Sequence, residues 1–247
     1  MNNIKAVYFK QMTSQLRNPQ LLIMAAMFIG MALFLTFLAD TEEDCDNCIP
    51  AYVCEYHLEQ RASRNVPNPS VIGMFSVMFA GLALVSTSSA LVLEDKTTQN
   101  LRFMTMAGVK PIQYLIATCA SLYSYVILIV PLFAVVGGYF GREFFIFVSV
   151  VYAGALVSVL LGVAMGLSKY PMISTPIAFF LGFGPMLANM NEGLSSALGI
   201  TYTLQMSMGL SDDLTWELRT NFLVMGVTAV LVLIFFAWMY RKGELEW

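Results

Sequence analysis

The sequence predicts an all-α membrane protein, and three observations carry that expectation. Of 247 residues, 58% are hydrophobic and 12% are charged, against roughly 45–50% and 25% in soluble domains, and mean hydropathy is +0.70. Six apolar segments, 21–39, 71–93, 112–136, 144–167, 171–190 and 221–240, hold no Asp, Glu, His, Lys or Arg. Each is of a length to cross a hydrocarbon core of roughly 30 Å at about 1.5 Å per helical residue. The charges gather between these segments and ahead of the first. The expected architecture is a domain of six transmembrane helices over 21–247, preceded by an N-terminal amphipathic interfacial helix over 1–20. A composition of this kind excludes nucleic acid as a natural partner and makes membrane lipids one.

In the first twenty residues Ile4, Val7, Tyr8, Met12 and Leu16 share one helical face, with Lys5, Lys10 and Arg17 off it. That pattern predicts a helix in the plane of the interface, basic enough to favour anionic lipid. Pro19 suits a break before the first span, because the residue preceding a proline avoids the α region. The run Leu21 to Ala39 is followed by acids and no Ala-x-Ala site, which argues against a cleaved signal peptide.

An even number of spans puts both termini on one side. Nine of the thirteen basic residues, Lys5, Lys10, Arg17, Lys96, Arg102, Lys110, Lys169, Arg241 and Lys242, fall on that side. The other side receives Arg61, Arg64, Arg142 and Arg219 together with twelve of the sixteen acids. Positive charge accumulates on the cytoplasmic face, so the expectation is a multi-pass protein of the cytoplasmic membrane with both termini in the cytoplasm.

Leu93 to Gly108 is a short charged stretch between the second and third apolar segments, and so belongs at a membrane surface. Within it Leu101, Met104 and Ala107 or Gly108 recur three to four residues apart, while Glu94, Asp95, Lys96 and Arg102 take other positions. The spacing predicts a short helix in 94–110 docked by one apolar face, with a plain solvated loop as the alternative.

Two motifs here resemble those of type 2 ATP-binding-cassette (ABC) transporter permeases. Glu94-x-Lys96, Leu101-x-x-Met104 and Gly108, directly after a second span, resemble the family's coupling helix, with Thr98-Gln99-Asn100-Leu101 where the family has a Gly-Thr-Leu-Glu-like middle. Leu16-Arg17-Asn18-Pro19 resembles the Leu-Arg-Asn/Asp-Pro that closes the family's amphipathic first helix. The resemblance extends over nearly the whole chain. It implies that 94–110 is a cytoplasmic coupling helix pushed by a separate ABC ATPase, engaged through Glu94, Asp95, Lys96, Leu101, Arg102 and Met104. It further implies an exporter completed by a second permease copy or a sister permease. ATP and Mg would sit on the partner subunit and no cofactor on this chain. The substrate classes it implies are peptides, drugs, lipids and glycans. An outer re-entrant hairpin before the last span is implied as well. Residues 193–210 suit it, because a seventh span there would bury Ser195, Ser196, Thr201, Thr203, Gln205 and Ser207 and would put Arg241 and Lys242 outside.

Other function classes are weighed by what the chain lacks. Carriers coupled to protons or sodium hold ionisable side chains near the midplane, and the six segments have none. No Gly-x-x-x-x-Gly-Lys-Ser/Thr phosphate loop occurs, so energy from ATP would enter through another chain. With a single histidine, no nucleophile, base and orienting group form a recognisable set, and the chain does not read as an enzyme. A non-transporting sensor or assembly subunit with a ligand-binding outer loop is the alternative, and a secondary carrier a weaker one. Gly162-x-x-x-Gly166 and the run Ser86 to Ala90 read as close packing surfaces, and Pro131, Pro176 and Pro185 as positions for kinks.

The first outer loop, 40–70, carries Cys45-x-x-Cys48 and Cys54-x-x-His57 among seven acids. Three readings stand: one disulfide with a leftover thiol, a tetrahedral zinc site of Cys45, Cys48, Cys54 and His57, or reduced thiols. The outer face of a membrane favours the disulfide, and the five-residue gap between the pairs is tighter than common zinc modules use. Cys119, in the third segment, reads as a small apolar packer.

Overall fold

The computed structural model describes residues 2–17, 19–42, 69–168, 173–190, 201–210 and 218–246, and among them the regular structure is helical, without a strand. The elements are α1 (Asn2–Arg17), α2 (Gln20–Glu42), α3 (Pro69–Met78), a π-helical turn (Phe79–Leu84), α4 (Val85–Thr97), α5 (Asn100–Met106), α6 (Pro111–Val136), α7 (Arg142–Gly166), α8 (Ser174–Met190), α9 (Tyr202–Gly209) and α10 (Leu218–Glu246).

Four helical stretches are long and apolar enough to cross a membrane: Val71–Thr97, which runs through α3, the π turn and α4, then Pro111–Val136, Arg142–Gly166 and Asn221–Trp238. Ile4–Arg17 and Gln20–Leu35, bent by 55°, make a fifth when taken together. The chain is therefore a membrane-embedded helical protein with four or five candidate spans, where the hydrophobic pattern counts six. The fifth apolar segment is described as the 17-residue helix α8, about 26 Å at the helical rise against a core of roughly 30 Å.

The hub of the bundle is α7, which packs against α4, α6 and α10 and buries Phe147, Val151, Ala155, Val159 and Val163 completely. Its Gly162 lets α4 approach: a side chain there would overlap Ser88 Oγ. The small-residue run of the second apolar segment thus faces the Gly162-x-x-x-Gly166 stripe, as the sequence pattern predicts. Apolar side chains also face outward in long rows, among them Ile127, Leu128 and Leu132 of α6 and Leu223, Leu231 and Ile234 of α10. In water such rows would be a liability; against lipid they are the expected exterior.

Two expectations need correction, on α1 and on 94–110. The inner face of α1 is built on Val7, Gln11 and Gln15, all nearly inaccessible, while Leu16 is 62% exposed and Phe9 65%. The helix packs along α6, where the Gln15 amide finds the Ser121 hydroxyl, and Gln11 reaches the Asp95 carboxylate of α4, so a polar stripe turns inward. Residues 94–110 do not form one helix. Glu94, Asp95 and Lys96 belong to the last turns of α4, and α5 starts only at Asn100. Within 193–210 the described part is α9, eight residues long and packed on α7, α8 and α10, too short to span.

Candidate functional site

The chain between α4 and α6 is shaped by its own polar side chains. Thr98 closes α4 with its backbone N–H and its hydroxyl both donating to Glu94 O, at 2.9 and 2.7 Å. Gln99 then takes a left-handed φ of 57°, which turns the chain and lets Phe103 N–H donate back to Gln99 O. At the other end Gly108, φ 77°, allows the Val109 N–H to reach Met104 O at 3.0 Å, a Schellman stop. Lys110 N–H then donates to Gln113 Oε1 at 3.0 Å and Pro111 opens α6. The result is a seven-residue helix held out between two long ones.

Behind it lies a buried acid. Asp95 is 3% exposed, and its carboxylate pairs with Lys10 and accepts hydrogen bonds from Gln11 Nε2 at 2.5 Å and from the Tyr114 hydroxyl at 3.0 Å. One carboxylate therefore joins α1, α4 and α6. Removing a charge from water costs several kcal/mol, which pairing and further hydrogen bonds offset only when all are in place. The geometry supplies the ion pair and two donors, so the cluster is an interlock in which loss of Lys10 strands the buried carboxylate and loss of Gln11 or Tyr114 removes one of its hydrogen bonds. Two more bonds extend the seam along α6: Gln15 Nε2 donates to Ser121 Oγ at 3.2 Å, and the Tyr8 hydroxyl meets Ser124 Oγ at 3.0 Å. Lys96, next in the chain, donates to Ser168 O at 3.2 Å, just past α7, where helix carbonyls lack partners and the dipole favours a cation.

Two grooves open beside this interlock. One, of about 330 Å³, lies between α1 and α5 and is lined by Ala6, Val7, Lys10, Asn100, Phe103, Met104, Ala107 and Val109. The other, of about 640 Å³, is lined by Phe9, Lys10, Thr13, Ser14, Arg17 and Glu94. Lys10 borders both.

The six residues expected to engage a partner are thus divided. Glu94 and Arg102 are exposed and Lys96 is partly so, Met104 is half-buried in the first groove, and Asp95 and Leu101 are buried, Leu101 at 6%. Asp95 cannot be part of an outer docking face, because its carboxylate is consumed internally. Sequence reading missed Lys10, Gln11 and Tyr114, and also Phe103 and Met106, which stand 61% and 66% exposed on α5. A signal for the first group was present: Gln11 and Gln15 continue the four-residue spacing of Val7. Cys45, Cys48, Cys54 and His57 lie outside the described residues, so the disulfide, zinc and thiol readings stand as they were. Cys119 packs at the edge of the hydrophobic core, in keeping with its apolar reading. Comparison with protein-family models, curated proteins and solved structures returns no match in any of the three.

Proposed function

We propose that the chain is the membrane permease subunit of an ABC-type exporter, driven by a separate ATP-binding subunit and moving a peptide, drug, lipid or glycan across the cytoplasmic membrane. The observation that carries this reading is α5, a short helix with Phe103 and Met106 bared, set directly behind Asp95 and its three partners. A push on α5 from a partner would pass to α4 and α6 through the backbone and to α1 through the carboxylate, so one contact would move three helices. The absence of acidic or basic side chains from the interiors of the apolar segments supports a chain that takes its energy from elsewhere. On this reading six segments span, with both termini in the cytoplasm. A second permease completes the pathway, and ATP and Mg are held by the partner.

Co-expression with an ATPase encoded beside it tests the reading. The two are expected to co-purify, and reconstituted vesicles to show ATP-dependent movement of solute and ATPase activity that responds to the permease. A permease that neither binds the ATPase nor alters its turnover would overturn the assignment.

A further inference from the structure

The face of α1 that turns away from the bundle is apolar. Phe9 and Leu16 stand exposed seven residues apart, and at about 100° per helical residue they share one side, opposite the buried Gln11. Thr13, exposed between them, spends its hydroxyl inside the helix by donating to Phe9 O at 2.8 Å. The exposed Lys5 and Arg17 flank the pair, and α1 contains no Asp or Glu. The exposed Glu94 of α4 lies to one side, in the groove that Lys10 and Arg17 also line. This inverts the hydrophobic pattern, which assigns Ile4, Val7, Tyr8 and Met12 to the outer face: Val7 is buried and the other three pack against the core.

We infer that the partner of this outer face is the phospholipid bilayer, with Phe9 and Leu16 resting where headgroups meet acyl chains and Lys5 and Arg17 reaching the phosphates. Continuity with the outward rows of the bundle argues for lipid. Ile23 of α2 follows Leu16 at the same seven-residue step, its N–H donating to Pro19 O at 3.0 Å across the join, and Met27 and Met31 carry the exposed row along the helix. With α2 upright, the bend of 55° already lays α1 closer to the membrane plane than to its normal. Long cationic side chains lay their stems on apolar surface and hold their heads at the phosphate layer, and a helix of this kind sits in the interface. The internal bond of Thr13 suits the same place, because a hydroxyl facing acyl chains needs a partner within its own helix. On the opposite face Lys10 and Gln11 hold Asp95. Lipid thus grips α1 on one side and the bundle on the other, whether or not the chain is a permease.

The test uses the full-length protein, free of native cysteines, in nanodiscs of phosphatidylcholine and phosphatidylglycerol. Spin labels go singly at Phe9, at Leu16, at Ile127 on the outward row of α6 and at Thr98 in the exposed turn after α4. Relaxation by oxygen, which concentrates in lipid, is compared with relaxation by a water-soluble nickel chelate. Phe9 and Leu16 are expected to favour oxygen as Ile127 does, with Thr98 favouring the chelate. Phe9→Ser with Leu16→Ser is expected to lower the melting temperature in the nanodiscs, because two apolar side chains then leave lipid; on a water-facing surface the same change is close to neutral. A chelate response like that of Thr98 at either position would overturn the inference in favour of water. Shielding of either label from both reagents would overturn it in favour of a protein partner or a second copy of this chain, and a melting temperature unmoved by the double serine variant would overturn it as well.

Discussion

Gly81, on the π-helical turn, lies so close to Gly182 of α8 that a Cβ on Gly81 would stand 2.7 Å from the Gly182 nitrogen. A Cβ on Gly182 would in turn meet Leu82 Cβ at 2.9 Å. Backbone touching backbone is what anchors the short α8, whose Phe179 and Phe180 face outward, and the widened π turn is where the second segment accommodates it. Gly81→Ala and Gly182→Ala are each expected to cost about 1–3 kcal/mol through overpacking. Gly30→Ala, where nothing lies within 4 Å, is expected to be neutral or to stabilise by up to about 1 kcal/mol. Melting of the purified protein in detergent checks this; equal shifts at all three positions would show that the contact is loose.

Asp95 offers a double-mutant cycle. Asp95→Leu strands Lys10, and Lys10→Met strands the carboxylate. Breaking a buried pair on one side costs about 3–5 kcal/mol, whereas an apolar replacement of both partners can be close to neutral. Because Lys10 is partly exposed, Asp95→Leu is expected to be the milder of the two and the double variant to recover stability relative to Lys10→Met. Strictly additive losses would mean that the two side chains do not depend on each other.

Coupling is tested on the face that is bare. Leu101→Asp would disturb the packing of a buried side chain and confuse docking with folding, so Phe103→Asp with Met106→Asp is the informative variant. It is expected to leave melting within about 0.5 kcal/mol, as surface substitutions do, and to abolish stimulation of the partner ATPase together with export. Transport at the original rate would remove α5 from the coupling path.

Topology is open to direct labelling. In a background without native cysteines, a cysteine at the exposed Thr98 is expected to react from the cytoplasmic side and one at the exposed Phe140 from outside. Cysteines at Lys169 and Ser211 extend the check to the two flanks of 171–210. Labelling of the last two from the same side would add a span that the six-segment pattern does not contain.

The outer loop is decided by counting thiols under denaturation alongside metal analysis. A disulfide among Cys45, Cys48 and Cys54 leaves one reactive thiol in the loop and is unaffected by His57→Ala. One zinc per chain with three free outer thiols, lost to a chelator or at low pH where the ligands protonate, would replace the disulfide reading with the metal one.

Sequence and tertiary structure divided the work in a way that particular residues make plain. Helical class, the long apolar stretches and the close approach at Gly162 were legible because they depend on local periodicity and on side-chain size, which one strand of text records. The break at Thr98 and Gln99 was half-legible: their polar side chains mark a turn, but the left-handed φ of Gln99 is not a residue preference. Asp95 looked like a surface charge because its neighbours Glu94 and Lys96 are charged. Its burial depends on Lys10, 85 positions away, and on Tyr114, and nothing local reports a partner at that separation. By itself the sequence determined that this chain is helical and belongs in a membrane, since the cost of leaving so much apolar surface in water admits no other environment. Only the tertiary structure decided which polar residues turn inward, because a buried charge is tolerable solely where folded helices bring its counter-charge and donors to it.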